Sequence, residues 1–238
     1  MKYTSILLLA GCSLLMGCSP KFYSPDTQNV PLISAKGETN LTLLGNGNEI
    51  EFQGAYGVSE SFAIKANGGL FIPGDLGNGD GGSGKFIELG GGYYTPVYDN
   101  FVFEAYGIFG FGSMENHLPS TTFDNPQTTG DISAGILRYG IQPNFGYKSK
   151  HFAAAISARF VNLNYRNIDG DLIFDCINQV DYLKENNSNF LMEPAITLKG
   201  GFEKIKLQVQ YGYSFNLSNS SFPQDKDYLT IGLNFNFK

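Results

Sequence analysis

Charge is scarce in this sequence. Lys, Arg, Asp and Glu together make up 16% of 238 residues, and the balance is acidic, with a net charge of −6 and a pI near 4.9. An ordinary soluble domain carries about 25%. The few, unclustered Lys and Arg residues exclude a nucleic-acid footprint, which needs them gathered on one face. Cysteine is scarcer still, at three. If Cys12 leaves with a leader and Cys18 is modified, only Cys176 remains, so no intramolecular disulfide is available. Histidine is limited to His117 and His151, neither near Cys176 in sequence, and a reactive thiol needs a base beside it. No segment of helical period has useful length, although Phe174 to Lys184 has room for a short helical turn or two.

What is abundant is glycine, at 30, and aromatic residues, with 14 tyrosines and 20 phenylalanines. The last segment, Tyr228 to Lys238, places Leu229, Ile231, Leu233, Phe235 and Phe237 on one face and Thr230, Gly232, Asn234 and Asn236 on the other. That period of two means a strand. The same alternation predicts ten strands: Thr39 to Gly45, Glu49 to Val58, Phe62 to Ile72, Lys85 to Tyr98, Phe101 to Ser113, Ile132 to Lys148, His151 to Arg166, Phe190 to Phe202, Ile205 to Leu217, and Tyr228 to Lys238. Ser59-Glu60, Asp99-Asn100, Ser149-Lys150 and Glu203-Lys204 read as tight turns. They alternate with longer connections at Pro73 to Gly84, Glu115 to Asp131, Ile168 to Asn189 and Ser218 to Lys226. Short turns at one end and long loops at the other are the asymmetry of bacterial outer-membrane barrels, with the turns periplasmic and the loops extracellular. The expected fold is all-β, a transmembrane antiparallel up-and-down barrel of about ten strands, with eight as the alternative, over residues 38–238 as one domain.

The N-terminus reads as processing signal. Lys2 supplies a positive start and Ile6 to Met16 an apolar stretch; Leu15-Met16-Gly17-Cys18 then resembles the bacterial lipobox, in which a small residue precedes the lipid-modified cysteine. Leu9-Ala10-Gly11-Cys12 is a rival box after a shorter apolar stretch. Residues 1–17 are thus expected to be removed, with a covalent lipid such as palmitate on Cys18 and no other cofactor. Residues 18–37, punctuated by Pro20, Pro25 and Pro31, cannot form a continuous helix or a central strand and read as a lipidated periplasmic tether. Its end, Asn29-Val30-Pro31-Leu32 followed by Lys36-Gly37-Glu38, is similar to the lead-in to the first strand in barrel proteins of Bacteroidota outer membranes. Phe237 resembles the terminal aromatic used as an insertion signal, although Lys238 follows it. An even strand count puts both barrel ends on the short-turn side and so places Cys18 in the periplasmic leaflet.

Which face meets lipid is read from side-chain type. One face of the second strand carries Glu51, Gln53, Ala55 and Gly57, and the other carries Ile50, Phe52, Tyr56 and Val58. The polar face holds too little charge for a water-exposed exterior and the other is too bulky for a narrow interior. That argues against the alternative of a lipid-tethered, lipocalin-like binding barrel. Aromatic girdles are expected from Phe62, Tyr98, Phe101, Tyr147, Phe152 and Phe202 at the turn end, and from Phe71, Phe111, Tyr165 and Phe215 at the loop end. A barrel of this strand number should be nearly filled. Its lumen is expected to hold a polar network of Glu51, Lys65, Glu88, Glu104, Arg138, Arg159, Glu193 and Lys199, and such buried charges must pair.

Motifs for chemistry are thin. Gly79 begins a GxGxxG match, but it does not open a helix in a βαβ unit, as nucleotide binding demands. Asp75, Asn78 and Asp80, or Asp169 and Asp171, could offer oxygens to Ca²⁺, yet neither set has a recognised loop spacing, so no metal is expected. Lipid A deacylases and omptin-like proteases resemble the chain in architecture. They rely on a histidine with a carboxylate near the outer rim, where this chain offers only His117 beside Glu115 and Asp124. The reading is a non-enzymatic outer-membrane barrel lipoprotein of a Gram-negative bacterium, structural or an accessory subunit of an outer-membrane assembly. Its partners would be membrane lipids and, in such an assembly, other outer-membrane proteins. The alternative is a narrow pore or small-solute transporter.

Overall fold

The computed structural model describes residues 20–72, 81–118 and 129–238. Ten strands form the barrel: β1 Thr39–Gly45, β2 Glu49–Gly57, β3 Phe62–Phe71, β4 Gly81–Tyr98, β5 Phe101–Leu118, β6 Gly130–Lys148, β7 Phe152–Gly170, β8 Ser188–Gly201, β9 Ile205–Tyr213 and β10 Asp227–Phe237. Each pairs antiparallel with its sequence neighbour, and β1 closes the ring on β10 in a register that runs from Thr39 opposite Phe237 to Gly45 opposite Ile231. Closure leaves no unpaired edge, which is what a bilayer demands of a sheet.

Several strands run further at the loop end than their sequence suggests, among them β7, which continues to Gly170. β4 starts at Gly81, inside the glycine-rich stretch, because its pairing with β5 (Gly81 opposite His117, Gly84 opposite Met114) supplies the strand bonds that glycine propensity argues against. β5 likewise continues to Leu118. Strands β4 to β7 have 18, 18, 19 and 19 residues, whereas β1 to β3 have 7, 9 and 10. Around 9–11 tilted residues suffice to cross a bilayer. The wall is therefore tall on one side and its rim low on the other.

Side chains sort by face as the alternation requires. Ile50, Phe52, Tyr56, Leu70, Ile87, Leu89, Ile141, Ile156, Leu207 and Ile231 are exposed on the outside, while Glu51, Gln53, Glu104, Gln142, Gln208 and Asn234 are buried inside. That polarity is the reverse of a lipocalin-like barrel, which keeps its apolar face in and its polar face out. Exposed Phe62, Tyr98, Phe101, Phe152 and Phe202 mark the turn end, and exposed Phe111 and Phe215 mark the loop end. Tyr165 is not part of that girdle. It is buried, and its hydroxyl donates to the carbonyl of Phe22 at 2.9 Å.

The connection after β7 folds back over the loop-end mouth. A two-residue ladder pairs Ile173–Phe174 with Ile177–Asn178, and helix α1, Gln179–Glu185, follows it. Asn178 caps α1 by accepting from the amides of Val180 at 2.9 Å and Asp181 at 3.2 Å. After β9, Phe215–Asn216 pairs briefly with β8 before residues 217–226 return across the opening.

The segment expected as a periplasmic tether does not hang below the barrel. Residues 22–33 run through the lumen, and apart from a half-buried Ser24 all of them are buried. Three prolines do rule out helix and strand, as expected, but an irregular chain need not lie outside. A ring of ten strands leaves a central space, and this chain fills it with its own N-terminal segment.

Candidate functional site

The lumen is where the chemistry-bearing side chains converge. Glu51, Lys65, Glu88, Glu104, Arg138, Arg159, Glu193 and Lys199 all project inward from the wall and all are buried. They do not chiefly neutralise one another across an empty bore. They hold the plug.

Asp26 lies at the centre. Arg138 pairs with it through one guanidinium nitrogen and, through the other, donates to Asp26 Oδ2 at 3.0 Å. Arg159 Nη2 reaches Asp26 Oδ1 at 2.9 Å. Each arginine has a second carboxylate in the wall: Arg138 with Glu88 at 2.8 Å and Arg159 with Glu193 at 2.6 Å. Two arginines and three carboxylates thus form one continuous cluster with the plug residue in the middle. Tyr23 extends it. Its hydroxyl donates to Glu193 Oε1 at 2.8 Å and accepts from Arg138 Nη1 at 2.9 Å. Arg138 also stacks over Phe86, 4.1 Å from the ring centroid.

Below Asp26 the plug has no secondary structure, so its backbone groups need other partners. Side chains of the wall supply them. Each carbonyl from Asp26 to Leu32 accepts from one: Asp26 from Arg159 (3.1 Å), Thr27 from Gln53 (2.9 Å), Gln28 from Gln210 (2.9 Å), Asn29 from Gln142 (2.9 Å) and Lys65 (3.4 Å), Val30 from Lys199 (2.8 Å), Pro31 from Asn40 (3.4 Å) and Leu32 from Lys148 (2.8 Å). Gln210 also accepts from the Gln28 amide at 2.7 Å, so its side-chain amide does what a neighbouring strand's peptide group would do. Glu51 accepts from both the amide (2.8 Å) and the hydroxyl (2.7 Å) of Thr27, and Glu104 accepts from the Ile33 amide at 2.8 Å. Pro25 and Pro31 have no amide hydrogen to satisfy, which suits proline to a buried, unpaired chain.

Both ends of the plug are fastened. At the loop end Phe22 sits among Phe222 and Tyr182, with ring centroids 5.9 and 6.2 Å away, above Leu183, Leu172 and Leu191. Phe22 donates its amide to Pro223 at 2.9 Å, and Tyr23 forms a bridge with Gln224. At the turn end Lys148 forms an ion pair with Glu38, whose other oxygen accepts from the Ser34 amide at 2.8 Å. Beside the plug, at the loop end, a cavity of about 380 Å³ opens between Tyr23, Asp26, Phe86 and Arg138.

The alternation marks Glu51, Arg138 and their neighbours as inward-facing, but not Asp26, Tyr23 or the carbonyl-holding role of Gln53, Gln142 and Gln210. The density of amide side chains on inward positions was the available signal, because amides both donate and accept. Cys18, Cys12, Asp75, Asn78, Asp80 and Asp124 lie outside the described residues. Cys176 is exposed in the loop after β7. His117 is exposed on the outer face of β5, opposite Asp131 on β6, with Glu115 two residues away on the same face. His151 lies in a turn, its Nδ1 3.1 Å from the Gly201 carbonyl oxygen.

Neither a protein-family model nor a curated protein sequence matches the chain. Solved structures do. The outer-membrane protease OmpT from Escherichia coli superposes with a TM-score of 0.53 at 10% identity, over 84% of this chain and 92% of that one. KdgM porin (TM-score 0.36, 8% identity) and LpxR from Salmonella typhimurium (0.37, 10%) each match over 84% of this chain and 99% of their own. The chain has the fold of bacterial outer-membrane β-barrels.

One expectation is overturned by this likeness. A chain of this architecture cannot be set down as non-enzymatic, because OmpT, with the same fold, is a protease. The expectation rested on the lack of a local His and carboxylate motif. Barrel rims assemble side chains from strands far apart in sequence, so a missing local motif excludes nothing.

Proposed function

We propose that this protein is an outer-membrane barrel closed by its own N-terminal segment and lipid-modified on Cys18. It serves as a doubly anchored structural or accessory subunit of an outer-membrane assembly. The observation that carries the reading is the unbroken run of plug carbonyls, Asp26 to Leu32, each held by a wall side chain. A segment used as a gate would have to release all of these bonds together and leave Arg138 and Arg159 each with one carboxylate instead of two, and breaking a buried pair from one side is strongly unfavourable. A closed barrel presents only its rim and loops to other proteins. The helix-bearing connection between β7 and β8 and the return after β9 are the surfaces such partners would use. The Leu15-Met16-Gly17-Cys18 motif supports the lipid, and the resemblance of residues 29–38 to Bacteroidota barrels supports the source.

Planar-bilayer recording tests closure. The wild-type protein is expected to give no discrete conductance, and a chain lacking residues 20–34 is expected to conduct or, if it does not fold, to lose the heat-modifiable band of a closed barrel. Steady single-channel steps from the intact protein would favour the pore reading instead. Recovery of defined outer-membrane proteins with the barrel in mild detergent supports the subunit role, and its purification alone from its native membrane counts against it.

A further inference from the structure

The direction in which the plug runs decides where its first residue emerges. At its start, the amide of Lys21 donates to Asn116 Oδ1 at 3.2 Å and its carbonyl accepts from Asn116 Nδ2 at 2.8 Å, near the loop end of β5. Phe22 and Tyr23 then bond the strap formed by residues 223–225 over the same mouth. At its finish, Leu32 and Glu38 are held by Lys148, the last residue of β6, beside the tight turn into β7. The chain therefore enters the lumen at the loop end, leaves it at the turn end and reverses at Gly37, where φ is +81°, into β1. Pro20 and Lys21, the first described residues, thus stand at the loop-end mouth, and Cys18 precedes Pro20 by two residues in sequence.

We infer that the mature N-terminus emerges on the extracellular side, so the acyl chains on Cys18 enter the outer leaflet from the cell surface; this rests on the lipidation proposed above. The expectation that Cys18 sits in the periplasmic leaflet follows from the strand count alone, which locates the start of β1 but not the start of the chain. The low rim makes the reach short. Pro20 borders a cavity lined on one side by Asn48, Phe71 and Ile72, at the tops of the short strands β2 and β3, and on the other by residues 81–86 and 113–116 of the taller β4 and β5. Just below this edge the outer wall is a groove of exposed Leu43, Ile50, Phe52 and Leu70 with Gly68 and Gly69 between them. Acyl chains descending from the rim would lie along it.

The protein's own lysines test this without any substitution. Lys21, Lys184 and Lys226 are exposed at the loop end, and Lys150 and Lys204 are exposed in the tight turns. Intact cells are treated with a membrane-impermeant amine-reactive ester, and the purified protein is mapped by peptide mass, including the acyl mass on the N-terminal peptide. The expected result is label on Lys21 to the same extent as on Lys184 and Lys226, none on Lys150 or Lys204 until the cells are permeabilised, and acyl mass on Cys18. An unlabelled Lys21 beside labelled Lys184 and Lys226 overturns the inference while leaving lipidation standing. A labelled Lys21 with an unmodified cysteine overturns the lipid reading and, with it, the outer-leaflet anchor. Labelled Lys150 and Lys204 on intact cells overturn the orientation of the barrel itself.

Discussion

Residues 27–33 and residues 39–45 are neighbouring segments of one chain, joined by a single reversal, and they are stabilised in opposite ways. β1 has its peptide groups paired on both sides, with β2 and β10, and its side chains divide between Asn40, Thr42 and Leu44 inside and Leu43 exposed on the outside. The plug has no strand neighbour. Its peptide groups are met by Gln, Asn, Lys and Glu side chains of the wall, and its own side chains are buried on every side. In β1 backbone bonding is generic and only the side-chain pattern is specified. In the plug backbone bonding is itself written in sequence, residue by residue, in the wall that surrounds it. Substitutions should therefore be felt differently in the two regions.

The largest effect is expected at the plug's centre. Asp26→Leu leaves Arg138 and Arg159 each with one carboxylate instead of two, in a site that water reaches poorly. Stability is expected to fall by about 3–5 kcal/mol, the usual result of breaking a buried pair from one side. Urea unfolding of the barrel in lipid vesicles measures it; a loss below about 1 kcal/mol would mean that the wall arginines do not depend on the plug. Next is the lipid face of the barrel. Ile231, 54% exposed and opposite Gly45, faces hydrocarbon, so Ile231→Arg is expected to cost about 2–4 kcal/mol near the midplane. The same assay in a detergent micelle should show a smaller penalty, since the head group reaches water more easily there.

These two sites also mark how far the sequence could be read. Ile231 is legible, because a period of two with bulky residues on one face has only one reading once lipid is the solvent. The ten strands follow for the same reason, as do the inward positions of Glu51, Arg138 and Glu193. Asp26 is not legible. It lies among prolines in a stretch with no period, and burial without periodicity leaves no local mark. Nor could alternation tell whether Arg138 is answered by another strand or by something threaded through the ring, since both demand the same inward arginine. The lack of a local His and carboxylate motif decided nothing for a related reason: side chains at a barrel rim come together across strands, and sequence distance says little about which ones meet.

A smaller loss is expected inside β10. Read from its strand alone, an inward Asn234 should tolerate Asn234→Ser with little effect. In the closed ring its amide donates to Asn40 Oδ1 at 2.8 Å and Thr42 Oγ1 at 2.7 Å, stitching the first strand to the last. Serine is too short to reach both, and leaving buried acceptors unmet costs about 1–3 kcal/mol. Thermal unfolding followed by the loss of the heat-modifiable band should register this, and an unchanged midpoint would mean that backbone pairing alone closes the ring.

The smallest effect separates two lysines that stand two residues apart. Lys148 and Lys150 are each paired with a glutamate, but Lys148 joins Glu38 and the Leu32 carbonyl at the foot of the plug, where Glu38 is buried. Lys150 meets Glu203 at 3.1 Å across two tight turns, with side chains 62% and 64% exposed. Water screens the second pair, and holding two long side chains together costs entropy that the weak attraction barely offsets. Lys150→Ala is accordingly expected to leave the unfolding midpoint unchanged in low and in moderate salt. If it instead lowers the midpoint in low salt and the difference vanishes as salt is added, the turn end of the barrel is held together by its surface charges, and the plug's latch at Lys148 is not what fastens that end.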